Sequence, residues 1–209
     1  MEREFWLERW ERNEIAFHEG EANAFLVRYI PTLNQQPGAT VFVPLCGKTR
    51  DIAWLLAQGF RVVGAELIEL AIRDLFVDLG LRPDISTIGT LKRYSAKGID
   101  IFGGDIFDLT REVLGAVDAV HDRAALVALP PEPRVRYAAH MIALTGTAPQ
   151  LLNCFEYDQR LMNGPPFSVE PEEVARLYGS AYKVTLLERS VVKGGLRGQQ
   201  AQHAVWLLR

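Results

Sequence analysis

The sequence predicts a doubly wound α/β protein built on a mostly parallel sheet, and three observations carry that prediction. From residue 40 onward, apolar runs of strand length alternate with amphipathic runs of helix length. Gly59 and Gly80 stand just beyond the first two expected helices, where a left-handed C-terminal residue is needed. The second expected strand ends on Glu66, about 20 positions past the first strand–helix turn, the spacing at which a nucleoside-binding βαβ unit places an acceptor for ribose hydroxyls.

Ahead of the sheet, residues 2–14 scatter Phe5, Trp6, Leu7 and Trp10 among Glu and Arg. Trp6 and Trp10 are four apart, so both indoles fall on one face of a short helix. Residues 22–33 read as a second helix, with Phe25, Leu26, Tyr29 and Ile30 on one side, and Gln35-Gln36-Pro37-Gly38 ends it. These elements make residues 1–37 a helical N-terminal extension, expected to cap the ligand site of a single domain spanning residues 1–209. The chain then reads TVFVPL as a buried strand, DIAWLLAQ as a helix, RVVGAEL as a strand and ELAIRDLFVDLG as a helix, a βαβα unit with a right-handed crossover. The middle is less regular: IDIFGGDIF and AVDAVHDR are each a strand running into a polar turn, RVRYAAHMIALT is a helix and QLLNCFEY a further strand. DQRLMNGPPFSV holds adjacent prolines and cannot enter a central ladder. EPEEVARLYGS has acids in its first turn and a closing glycine, which suits a helix, and the last two runs, joined by KGGLRGQQ, form a hairpin.

Composition bounds the function. A chain of 209 residues, 48% hydrophobic and 23% charged, builds one substantial core and not comfortably two. With 23 Lys and Arg against 26 Asp and Glu the net charge is −3 and no basic stripe collects on any element, which argues against nucleic-acid or anionic-membrane partners. Cys46 and Cys154 each lie in an apolar stretch and read as free buried thiols of a reducing compartment, hence a cytoplasmic protein. The heavily charged start, MEREFWLERWERNE, cannot serve as a secretory signal, and no segment approaches the ~20 apolar residues of a membrane span. The four histidines fall on separate elements without ligand spacing, so no metal is expected.

In an open α/β sheet the ligand lies outside the carboxyl ends of the strands. Here those ends supply Pro44-Leu45-Cys46-Gly47-Lys48, Glu66, Gly104-Asp105-Ile106 and Asp122-Arg123. Glu66 is placed for a ribose; Asp105 and Ile106 suit an adenine, the acid near its amine and the isoleucine against its face. A pyrophosphate needs the close backbone approach that G-x-G-x-x-G provides, and the first turn has only Gly47; a phosphate loop would require glycine where Phe42 stands. A phosphate-free nucleoside ending in an amino acid fits such a turn, and S-adenosylmethionine has that shape. A nicotinamide oxidoreductase and an inert nucleoside sensor are the competing classes.

The stretches W-x3-W at 6–10, I-A-F-H at 15–18, V-F-V-P-L-C-G-K at 41–48, V-V-G-A-E at 62–66, D-R-A-A-L-V-A-L at 122–129 and G-P-P-F-S-V at 164–169 resemble the thiopurine S-methyltransferase family in its bacterial form, over about residues 5–187. The resemblance implies a Rossmann-like methyltransferase with a seven-stranded sheet whose last strand is antiparallel. It also implies S-adenosylmethionine as methyl donor, leaving as S-adenosylhomocysteine, contacted by Trp10, Leu45, Glu66 and Arg123, and an aromatic or heterocyclic thiol as acceptor, with selenium or tellurium compounds as the alternative. The chain departs from the family at Ile68, where a serine is common. Arg123 is the candidate for holding an acceptor thiolate, with Arg197 of the glycine-rich turn as a second cation; Tyr157 and Phe167, flanking the proline loop, and Phe17 are candidate walls for a planar substrate. The enzyme is expected to act as a monomer.

Overall fold

The computed structural model describes residues 3–15 and 18–209. Two helices, α1 (Arg3–Glu11) and α2 (Ala24–Tyr29), precede the sheet; Asn23 caps α2 by accepting the backbone N–H groups of Phe25 and Leu26, and a 3₁₀ turn over Ile30–Leu33 carries the helix on to its close. Then follow β1 (Thr40–Val43), α3 (Arg50–Ala57), β2 (Arg61–Glu66), α4 (Glu69–Asp78), β3 (Asp84–Ile88), β4 (Leu91–Ala96) and β5 (Ile99–Gly103). The second half holds α5 (Arg111–Leu114), β6 (Ala119–Arg123), α6 (Pro131–Thr145), β7 (Gln150–Glu156), α7 (Pro171–Tyr178), β8 (Val184–Val191) and β9 (Gln202–Leu208).

All nine strands join one sheet in the order β3-β4-β5-β2-β1-β6-β7-β9-β8. The five central strands are parallel, and each edge ends in antiparallel partners. From β1 the chain moves out through β2 and β5 on one side, then returns to place β6 on the other, so strand order reverses at β1 and opens a crevice at its carboxyl end. The alternation of the central strands feeds both faces. Phe42, Val63 and Leu152 enter one buried cluster, and Val41, Val43, Val62 and Leu151 enter the cluster on the opposite face.

The sheet has nine strands, where the family resemblance implies seven. Its final strand, β9, is antiparallel as expected and lies inside β8, against β7. The hairpin β3–β4, which the periodicity leaves unassigned, extends the other edge around Gly89 at φ 59°. Its first strand is exposed along most of its length, so it lacks the alternation that marks a half-buried strand. Among the described residues no helix is long and apolar enough to cross a membrane.

Candidate functional site

The first turn is shaped by backbone conformation and a single carboxylate. After β1, Leu45 adopts φ 44° and Gly47 φ 52°, and Ala124, just past β6, adopts φ 61°. A left-handed leucine and alanine at two neighbouring strand ends store of order 1–3 kcal/mol each, a pattern that clusters at ligand sites. Glu66 holds the turn: one of its oxygens accepts the N–H of Gly47 at 2.7 Å and the other accepts the N–H of Ile68 at 2.8 Å. The residue is 6% exposed. Burial pushes its carboxyl above the ordinary range, opposed by the backbone N–H groups of Ile68, Gly47 and Leu67. Because Ile68 contributes its backbone, the departure from serine there leaves this bond intact. A carboxylate has about four lone-pair sites, so acceptor capacity remains for a ligand's hydroxyl.

Around this turn lies a narrow cavity of ≈ 60 Å³, lined by Trp6, Trp10, Leu45, Glu66 and Arg123 among others. It shares Trp6, His18, Lys48, Arg123 and Ala124 with a wide cleft of ≈ 940 Å³, large enough for a drug-sized ligand. Trp10 is buried against Ile15, Ile68 and Ala71, so α1 is pinned to the start of α4 beside the turn. His18 lines both spaces; burial, then the nearby Lys48, lowers its pKa and keeps the ring neutral at pH 7.

Arg123, the last residue of β6, stands where the two spaces meet. Its guanidinium contacts Glu19 Oε1 at 2.8 Å and Thr49 Oγ1 at 3.5 Å. Behind it, a buried strut ties the sheet to the N-terminal helices: His121 Nε2 lies 2.9 Å from Asp51 Oδ2, and Asp51 Oδ1 accepts the backbone N–H of Asn23 at 2.7 Å. Burial drives the Asp51 carboxyl upward, but His121, Arg123 and the Asn23 backbone N–H together outweigh it and the net shift is downward. On the other face of β6, buried Asp122 accepts Leu126 N–H at 3.1 Å and Tyr137 Oη–H at 2.8 Å, and burial pushes its carboxyl up to about 6.

The structure brings Trp10, Leu45, Glu66 and Arg123 to one cavity and swings Arg197, at φ 51°, to the rim of the wide cleft, where it donates to Pro165 O at 2.9 Å. Other expected residues are placed differently. Asp105 Oδ1 accepts the backbone N–H of Phe107 and caps a short 3₁₀ turn. The Ile106 side chain is buried in the main core, and neither residue lines these cavities. Tyr157 is no aromatic wall: it is buried with Met162 and Ala201, and its hydroxyl donates to Pro166 O at 2.7 Å, bracing the proline loop. Phe167 packs over Gly164 and donates its N–H to Val127 O at 2.7 Å, leaving Pro165 and Pro166 to face the cleft. Phe17 lies outside the described residues. The sequence reading missed the walls that are present, Phe25, Phe155 and His203, whose rings form a contiguous group with centroids 5.1 Å (Phe25–His203) and 4.9 Å (Phe155–His203) apart. Among the described residues no group of three His, Cys, Asp or Glu is placed to hold a metal ion.

The architecture and the phosphate-free turn define a class, the S-adenosylmethionine-dependent methyltransferase fold. A methyltransferase from Burkholderia thailandensis, solved with 1,6-didemethyltoxoflavin and S-adenosylhomocysteine bound, shares it at a TM-score of 0.66 and 18% identity, covering 99% of this chain and 86% of that one. The magnesium protoporphyrin IX methyltransferase of Synechocystis, solved with S-adenosylhomocysteine, superposes at a TM-score of 0.63 and 13% identity, covering 98% and 97% of the two chains. The chain belongs to the thiopurine S-methyltransferase family, whose model matches residues 1–206. Two thiopurine S-methyltransferases illustrate the relationship. That of Xanthobacter autotrophicus is 61% identical across 100% of this chain and 99% of its own length, and that of Gluconobacter oxydans is 50% identical across 97% and 92%.

Proposed function

We propose that this protein transfers the methyl group of S-adenosylmethionine to the sulfur of an aromatic or heterocyclic thiol such as a thiopurine. The observation that carries the reading is the position of Arg123, whose side chain lines both the cavity held by Glu66 and the aromatic-walled cleft. S-adenosylmethionine supplies a methyl group on a positively charged sulfur. The chain's residues supply the placement. Glu66 is the ribose acceptor, and the left-handed turn at Leu45–Gly47 receives the amino-acid end. Trp6 and Trp10 close the donor side, so residues 1–37 serve as its cap.

Arg123 holds the acceptor as a thiolate, in competition with Glu19. A guanidinium beside an aromatic thiol lowers its pKa, and such thiols are acidic enough to react without a general base. The two cysteines line the cavities too, but burial pushes their thiols well up, so neither supplies a thiolate nucleophile. Because opposite charges cancel as the methyl moves, the apolar walls and Pro165-Pro166 favour the step by excluding water. We assign the enzyme to the cytoplasm as a monomer, a reading supported by two free buried thiols and by exposed apolar side chains such as Val77, Ile85 and Val191 on separate elements. Calorimetric titration with S-adenosylhomocysteine and with NADH, followed by turnover of 6-mercaptopurine with methyl donor, tests the reading. Binding of NADH in preference to S-adenosylhomocysteine, or binding without turnover, overturns it.

A further inference from the structure

Arg123 and Asn153 are register partners on the adjacent parallel strands β6 and β7, so their side chains leave the sheet side by side on one face. Its other neighbours on β7 and β9 are apolar: Leu151, two residues before Asn153, and Val205, its register partner on β9, are fully buried in the same cluster, and Phe155 follows on the cleft wall, while His121, in register with Leu151, is already paired with Asp51. Asn153 lines the wide cleft, is 9% exposed, and has both amide atoms shut off from water with no hydrogen-bond partner in the protein. An unpaired buried polar atom costs about 1–3 kcal/mol, and a leucine, with the same branched skeleton, would avoid both losses. The position is explained if something that enters the cleft pairs with the amide.

A carboxamide offers an N–H donor and a C=O acceptor side by side, which matches a heterocyclic edge carrying an adjacent acceptor and N–H. We propose that Asn153 is a specificity-determining residue that reads this donor–acceptor edge of the acceptor ring while Arg123 holds its sulfur. Its terminal torsion joins sp³ to sp² carbon and is soft, so the amide turns to meet a ring at little cost. The ligand class is a nitrogen-heterocyclic thiol, in preference to a carbocyclic aromatic thiol that leaves the amide unpaired. The inference rests on the proposed thiol methylation.

The test compares kcat/KM for 6-mercaptopurine and for thiophenol in the wild type, in Asn153→Leu and in Asn153→Ser. In Asn153→Leu the value for 6-mercaptopurine falls by about 10- to 100-fold, mainly through KM, as expected for one or two lost hydrogen bonds, while that for thiophenol changes by less than about threefold. Asn153→Ser, which keeps a polar group but not the paired edge, shows the same loss of preference, so the outcome does not hang on one variant's folding. Thiophenol turnover and S-adenosylhomocysteine affinity report on the intact site in both. An unchanged ratio of the two substrates in the variants overturns the role of Asn153. A wild type that methylates neither thiol overturns the proposed function and this inference with it.

Discussion

Replacing Glu66 with glutamine tests the donor site most directly, because it removes charge and one acceptor while keeping shape. The native carboxylate receives N–H groups from Gly47 at 2.7 Å and Ile68 at 2.8 Å. In Glu66→Gln only one oxygen remains, and the new amide N–H₂ faces a backbone N–H, leaving at least one buried donor unpaired at about 1–3 kcal/mol. For a chain of this size that lowers Tm by about 2–12 °C. A ribose hydroxyl bonded to a carboxylate contributes about 1.5–3 kcal/mol, so its loss weakens S-adenosylhomocysteine binding by about 10- to 150-fold. Calorimetric titration well below the variant's Tm, with circular dichroism showing folded protein, separates the two effects. A variant that binds S-adenosylhomocysteine within about twofold of wild type refutes the ribose assignment. A variant with unchanged Tm refutes the claim that Glu66 fastens the turn.

Three further outcomes follow from the same contacts. Glu19→Gln releases the Arg123 guanidinium from an ion pair whose acid is 48% exposed in its side chain, a pair of the kind that contributes about 0–1 kcal/mol, so the steady-state KM for a thiolate acceptor drops by up to about fivefold; a rise in KM contradicts the competition. Asp122 has a folded pKa raised to about 6, so the native state holds an extra proton between the unfolded carboxylate value and pH 6. Its contribution is therefore most favourable below about pH 4, and stability on the order of 3 kcal/mol is lost as pH rises through that window; Asp122→Asn flattens this slope in urea unfolding between pH 4 and 8. Arg134 is fully buried, paired with Glu173 at 2.5 Å and bonded to the carbonyls of Leu129 and Ser168. Arg134→Ala leaves the Glu173 charge without this partner and destabilises by about 3–5 kcal/mol in chemical denaturation, while a loss below about 1 kcal/mol would show that the pair does not fasten α6 to α7.

The βαβα unit and its cavity-lining acid were legible because strand and helix periods switch cleanly and because Glu66 follows the first turn at a telling distance. Leu45, Glu66 and Arg123 could be chosen simply by reading strand ends. The hairpin β3–β4 escaped because an edge strand exposed along most of its length, as at Asp84–Thr87, carries no alternating signature. Tyr157 and Phe167 were misplaced for a different reason: the proline loop folds back on itself, so Tyr157 spends its hydroxyl on Pro166, a choice made by tertiary geometry. Phe25, Phe155 and His203 meet from three distant elements, and no spacing announces that. Asn153 did leave a trace, as an amide set between Leu152 and Cys154 in the run QLLNCFEY, where a polar side chain in a central strand asks for a partner.

The buried strut from His121 through Asp51 to the Asn23 backbone sets how far the front of this chain can be trimmed. Trp6, Trp10, His18 and Glu19 reach the ligand spaces from outside that knot, whereas Asn23 both starts α2 and fastens it to the sheet. The seam between the part that covers the ligand spaces and the part that fastens to the sheet therefore falls within the four residues from 19 to 22, and a protein engineer swapping acceptor preference between relatives has a natural splice point there.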